Sequence, residues 1–290
     1  MTPEQVTGTA RVGAAWSLAV FGVALPLPYL RDIMLGRADG TAEISGQFAL
    51  LMLLIQGVHT FFFPGGINVF PTFLPKLGSA QERSRFFTAY LYLVLAAAAV
   101  AVVLTTQWPG ILDALLGEAV EWRTRLLLQP LIPFLLLSTL TISVVMARMS
   151  FIWASLLGRT QLVCVTAMLG AMYLNGSDAL AAQPLAWFVG TILFATIVNL
   201  LVSSWVAVRH VGLAWRPKFP PGCLRFSTLA YFDAIMVFAY LAVDKYFIAM
   251  HLGIAAVGIY VPLLNIARIV PLGVQQLGHV LLTTFSTLLG

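Results

Sequence analysis

The sequence predicts an all-α, polytopic membrane helix bundle of about eight spans, and three observations predict it. Apolar residues fill 60% of the 290 positions and only 9% are charged, where a soluble domain carries about 25%. The apolar residues collect in stretches close to the roughly 20 residues that a helix needs to cross a hydrocarbon core of about 30 Å. Lys and Arg sit mostly in the short segments between those stretches. These features exclude a soluble enzyme, a nucleic-acid-binding domain and a disordered chain. In lipid each backbone polar group must find its partner inside the protein, and helices do this within one segment.

Met1 to Arg11 is short, polar and of mixed sign, and no small-residue cleavage site follows the first apolar run. That run therefore reads as a retained helix rather than a signal peptide. The apolar stretches are 12–30, 47–63, 86–106, 126–147, 157–174, 184–208, 226–250 and 254–289. The first closes in LPLPYLRDIMLGRADG, which brings Arg31 and Asp32 side by side after Pro26 and Pro28. The second carries Gln56 and His59 three apart, on one helical face, and runs into FFFPGGINVFPTFLPKL. Pro64, Gly65 and Gly66 should interrupt it there. Two readings stand level: a broken helix lining a cavity, as in transporters, or a plain helix end with an aromatic belt. The eighth stretch is too long for one pass and holds Pro271, so it is one bent helix or a span followed by an interfacial segment.

Loop charge gives an orientation. The amino terminus and the second, fourth and sixth loops hold ten Lys and Arg residues, and the odd loops hold five, counting Arg31 and Lys245. This bias places the amino terminus in the cytoplasm. The sixth loop, RHVGLAWRPKFPPGCLR, has three prolines and four basic residues and is the expected boundary. It divides a six-span amino-terminal lobe (1–208) from the start of a second lobe (226–290), with 209–225 as a basic cytoplasmic linker. Because the chain stops at Gly290 with no polar tail, a truncated transporter of 12–14 spans and two lobes is expected.

Charges inside a span are expensive and normally face a wet cavity or a partner. Asp233 and Asp244 lie eleven residues apart, which puts them within about 20° of one face and about 16 Å apart along it. The eighth span carries Asn265, Arg268, Gln275 and His279 on a neighbouring set of positions. A hydrated cavity with an anion-binding arginine and titratable carboxylates is one reading. A structural pair locking two helices, Asp233 or Asp244 with Arg268, is another. For Asp244 and Lys245, snorkelling at the outer interface is a third. Two scattered cysteines, Cys164 and Cys223, suggest neither a metal site nor a disulfide framework. Asn175-Gly176-Ser177 fits a glycosylation sequon but reads as a turn. No phosphate-binding loop, metal-ligand motif or nucleophile elbow is present, so no catalytic role and no cofactor are expected.

The run LRDIMLGRADG, followed by FPGGINVFPTFLPKL and by VGIYVPLLNIARIVPLGVQQLGHVLLTTFSTLL, resembles the MviN/MurJ-type lipid II flippases and the wider multidrug/oligosaccharidyl-lipid/polysaccharide exporter superfamily. The resemblance implies two helical lobes around a cavity that opens alternately to each side of the bacterial inner membrane. The implied cargo is a polyprenyl-diphosphate-linked saccharide or peptidoglycan precursor, its diphosphate held by arginines. Arg31 and Asp32 match the family's pair. His59 stands where the family tends to have arginine, Gln47 roughly where it has an acid, and Asn265 and Ile266 where it has Asp-Arg.

The expectation is therefore a flippase. Arg268, Arg31, His59, Asn265 and Gln275 would bind substrate, with Asp233 and Asp244 coupling transport to a proton or sodium gradient. Membrane potential is an equal candidate as driver. Two alternatives are a cation-coupled multidrug exporter and a polyprenyl-phosphate-dependent glycosyltransferase, whose carboxylates would lie in a first outer loop of about 16 residues, Arg31 to Gly46. The expected partners are a lipid-linked glycan and membrane lipid.

Overall fold

The computed structural model describes residues 26–37, 41–63, 65, 67–116, 120–147, 151–175 and 183–267, with scattered positions between 12 and 23 and residue 281. Among these the chain is helical and contains no strand. The helices are α1 (Pro26–Arg37), α2 (Thr41–Phe62), α3 (Val69–Phe73), α4 (Ala80–Gln107), α5 (Pro109–Leu116), α6 (Trp122–Ala147), α7 (Phe151–Asn175), α8 (Pro184–Val211), α9 (Cys223–Leu252) and α10 (Ile254–Ala267). A 3-10 turn, Leu74–Lys76, follows α3. Six of the described helices, α2, α4, α6, α7, α8 and α9, are long and apolar enough to cross a membrane. The protein is a multi-pass, all-α membrane bundle; these six helices fall on the second to seventh stretches expected from hydropathy, while most of 12–25 and of 268–289 lies outside the described residues.

Helix α2 is the hub. It packs on α1, α6, α9 and α10, while α6 is clasped between α4, α7 and α8. The crossing of α2 and α10 is close, and it depends on small residues. A Cβ added to Gly258 would collide with the carbonyl oxygen of Ala42, and one added to Gly46 would collide with that of Ile254. Lipid gives helices no hydrophobic reason to associate, so close backbone approach through small residues is what holds such a pair.

Pro262 lies inside α10 and leaves the carbonyl of Gly258, four residues back, without its helical N–H. The Ser45 hydroxyl, from α2, donates to that carbonyl at 3.3 Å. Ser45→Ala is therefore expected to cost about 1 kcal/mol. Adding Pro262→Ala should restore much of it, because alanine at that position supplies the missing N–H. Thermal midpoints of the purified variants check this; equal midpoints for the single and double variants would refute it.

The proline–glycine run does interrupt the second span. Helix α2 ends at Phe62, Gly65 takes φ +79°, and α3 begins at Val69. Its aromatic residues divide: Phe61 and Phe62, before the break, line an apolar pocket between α2, α4, α5 and α9, while those after it pack inward. Phe70 is fully buried, with ring centroids 4.8 Å from Phe86 and 5.3 Å from Tyr90. Gly65 also backs onto Ser227 of α9, where a Cβ would come within 2.8 Å of the hydroxyl oxygen. The break thus seats the start of α9 against the α2–α3 junction.

The 212–222 segment between α8 and α9 is strapped down rather than loose. Ala214 N–H donates to the Thr88 hydroxyl at 3.0 Å, and Lys218 N–H donates to the Arg85 carbonyl at 3.2 Å. Phe219 stacks edge-on to Tyr90 at 5.5 Å. Helix α4, on which it lies, opens with a capping box, Ser79 with Glu82, as the S-x-x-E spacing signals.

Candidate functional site

A cavity of about 310 Å³ lies where α1, α2, α7, α9 and α10 meet. Helix α1 contributes Arg31 and Asp32; α2 contributes Ser45, Phe48, Met52, Gln56 and His59; α7 contributes Gln161; α9 contributes Lys245; α10 contributes Val261 and Asn265. The helical period explains the α2 set, since steps of three or four residues keep one stripe facing inward.

Arg31 and Asp32 are mostly covered, with side-chain exposures of 11% and 9%. Arg31 donates through Nε and Nη2 to Asp32 Oδ1 at 2.8 and 2.5 Å, and its guanidinium lies 4.8 Å from the centre of the Phe48 ring. Asp32 Oδ2 accepts from Asn265 Nδ2 at 3.0 Å, and Tyr29 Oη donates to the Asn265 carbonyl at 3.3 Å. One carboxylate therefore orients the arginine and fastens α1 to α10. His59 Nε2 lies 2.9 Å from Thr139 Oγ1 on α6. The Thr139 proton goes to the Leu135 carbonyl. Its lone pair then suits an Nε2–H, so the imidazole is tethered edge-on at the cavity wall.

Lys245 is the residue that sequence reasoning misplaced. Counted with an outer loop, it lies inside α9, seven residues before the helix end, with a side chain only 5% exposed. Its Nζ donates to the Leu241 carbonyl and, at 3.2 Å, to Asp244 Oδ1. Neighbours on a helix point about 100° apart. Lys245 thus turns to the cavity while Asp244, 33% exposed, turns to the seam with α10, where Tyr260 Oη donates to it at 2.6 Å. Arg31 likewise belongs to a helix, α1, rather than to a loop. Gln161, also unforeseen, donates to Thr196 on α8 at 3.0 Å.

The predicted residues divide as follows. Arg31, His59 and Asn265 come together at the cavity, with Gln56 beside them. Asp233 is exposed on α9 and does not line it, and Asp244 stands behind Lys245 rather than in the lining. The carboxylate that faces the cavity is Asp32. Arg268, Gln275 and His279 lie outside the described residues, as does most of the sequon. Formal charges in the lining are two cations, Arg31 and Lys245, against Asp32. At membrane depth, two donors of this kind on opposing helices suit an anion better than a cation or an apolar drug.

No family model matches this sequence, and no curated protein matches it. A solved structure named "protein A" is similar, with 12% sequence identity and a TM-score of 0.65 over 97% of this chain. The chain spans 66% of that structure's length. At that identity the likeness concerns the fold alone.

Proposed function

We propose that the chain is a flippase for a polyprenyl-diphosphate-linked saccharide or peptidoglycan precursor, working by alternating access in the bacterial inner membrane with its amino terminus in the cytoplasm. The observation that carries this reading is that Arg31 and Lys245, from α1 and α9, line one partly open cavity. Each has a carboxylate neighbour that fixes it, Asp32 and Asp244. An arriving diphosphate would gain charge-assisted hydrogen bonds from both cations without either having to be ordered first. Gln56, Gln161 and Asn265 supply further polar atoms for a sugar or pyrophosphate oxygen.

The orientation is supported by the helix limits. Arg31 and Lys245, two of the five basic residues counted against this orientation, line the cavity rather than an outer loop. A glycosyltransferase is disfavoured by the same limits, because α1 ends at Arg37 and α2 begins at Thr41, leaving no long outer loop to hold an acceptor. Coupling by Asp233 is disfavoured by its exposure.

The test is flipping of a labelled polyprenyl-diphosphate sugar in proteoliposomes. Lys245→Met removes a cation while keeping the stem's length, and is expected to reduce flipping by about tenfold or more, the effect of one charge-assisted contact. Unchanged flipping by a normally folded Lys245→Met protein would overturn the site.

A further inference from the structure

We propose that the strap between α8 and α9 is a docking platform for the headgroups of anionic phospholipids. The inference rests on where the structure puts the strap, and it is independent of the cargo. Helix α8 carries two exposed tryptophans, Trp187 (45%) and Trp205 (63%). They are eighteen residues apart, which is five full turns, so they stand on one face about 27 Å apart. That separation matches a hydrocarbon thickness of about 30 Å, and tryptophan favours the two interfaces. Everything beyond Trp205 on α8 therefore lies at headgroup depth.

What lies there is basic. Arg209 sits one turn on, its guanidinium 4.0 Å from the centre of the Trp205 ring. The strap follows with Arg216 and Lys218, both exposed, and Arg225 opens α9. The backbone bonds from Ala214 and Lys218 fix the strap along the first turns of α4, which add Arg83 and Arg85. The Nε of Arg83 is buried with no hydrogen-bond partner among the described residues. Six cations thus face one acid, Glu82, which is already engaged in its helix cap.

Trp215 stands within this patch with 96% of its surface exposed, on a segment that is itself held rigid. An indole left fully open on a tethered strap, among fixed cations at headgroup depth, matches a phospholipid. The ring enters the interface and the cations meet phosphate. A net negative headgroup is selected over a zwitterionic one, because the latter brings its own ammonium. The platform joins α4 to the start of α9, so bound lipid would brace the second lobe's first helix against the first lobe.

The experiment uses the whole chain in vesicles of phosphatidylcholine or of phosphatidylcholine with phosphatidylglycerol, each lipid in turn brominated near the glycerol. The Trp215 signal is the difference between the protein and its Trp215→Phe variant. Phosphatidylglycerol is expected to quench it at least about threefold more than phosphatidylcholine, from local enrichment at the basic surface. Arg216→Gln with Lys218→Gln should bring the two lipids level; both side chains are exposed, so the fold is spared. Equal quenching in the unmodified protein, or a preference that survives the double variant, overturns the proposal and leaves the patch to an acidic protein partner.

Discussion

Asp32→Ala is expected to destabilise the protein by about 3–5 kcal/mol, the effect of removing one partner from a buried ion pair. The carboxylate holds two groups from different helices: Arg31 on its own helix, through Oδ1, and Asn265 on α10, through Oδ2. Without it, a guanidinium whose side chain is 11% exposed keeps its charge with no counter-ion among the groups that touch it. The α1–α10 seam keeps the weaker Tyr29 bond. Asp32→Asn should fall between, retaining shape and one acceptor but not the charge. Arg31→Met combined with Asp32→Ala should recover much of the stability, since a buried pair replaced by apolar groups is often near neutral. Flipping, by contrast, should be lost in all three. Thermal unfolding in detergent and the flipping assay separate these outcomes. An unaltered midpoint for Asp32→Ala would show that the pair is not buried as described.

Gly258→Val should prevent α10 from docking on α2. Overpacking a side chain into a core typically costs about 1–3 kcal/mol, because neighbouring side chains give way. Here the obstruction is backbone, the Ala42 carbonyl and the Gly46 amide, so relief requires moving one helix off the other. The expected result is loss of monodisperse protein on size exclusion, and Gly46→Val should behave alike, since its obstruction is the Ile254 carbonyl. Gly158→Ala is the control. A Cβ there meets nothing within 4 Å, and alanine favours helix by up to about 1 kcal/mol. A well-folded Gly258→Val protein would show that the crossing is looser than its geometry implies.

The spans were legible because lipid imposes one demand on every helix, a long apolar run, and hydropathy registers it without tertiary information. Arg31, His59 and Asn265 were legible as polar residues in or beside such runs. Lys245 was not, because a lysine seven residues from a helix end reads as snorkelling until a neighbouring helix is known to cover it. Asp233 does not line the cavity, and helical phase could not foretell that: it relates Asp233 to Asp244 but does not say which face of α9 is covered. The small residues Ala42, Gly46 and Gly258 stand in plain view, yet their meaning lies in which helices cross, and that is a property of the pair. The 209–225 stretch was legible as a break between helices by its prolines and charge, although its ends belong to α8 and α9. Its attachment to α4 rests on backbone groups, which composition does not register.

Besides its seam with α9, helix α10 meets α2 and α1, and on unequal terms. Against α2 it is keyed by glycines whose removal from contact would strip close van der Waals packing from both backbones. Against α1 it is joined by two hydrogen bonds through Asn265, and water can replace those at about 1 kcal/mol apiece. A force that spreads the bundle must therefore part α1 from α10 first, with the glycine crossing acting as the fulcrum. Solvent admitted by that parting reaches Asp32, whose Oδ2 forms the seam, and through it Arg31.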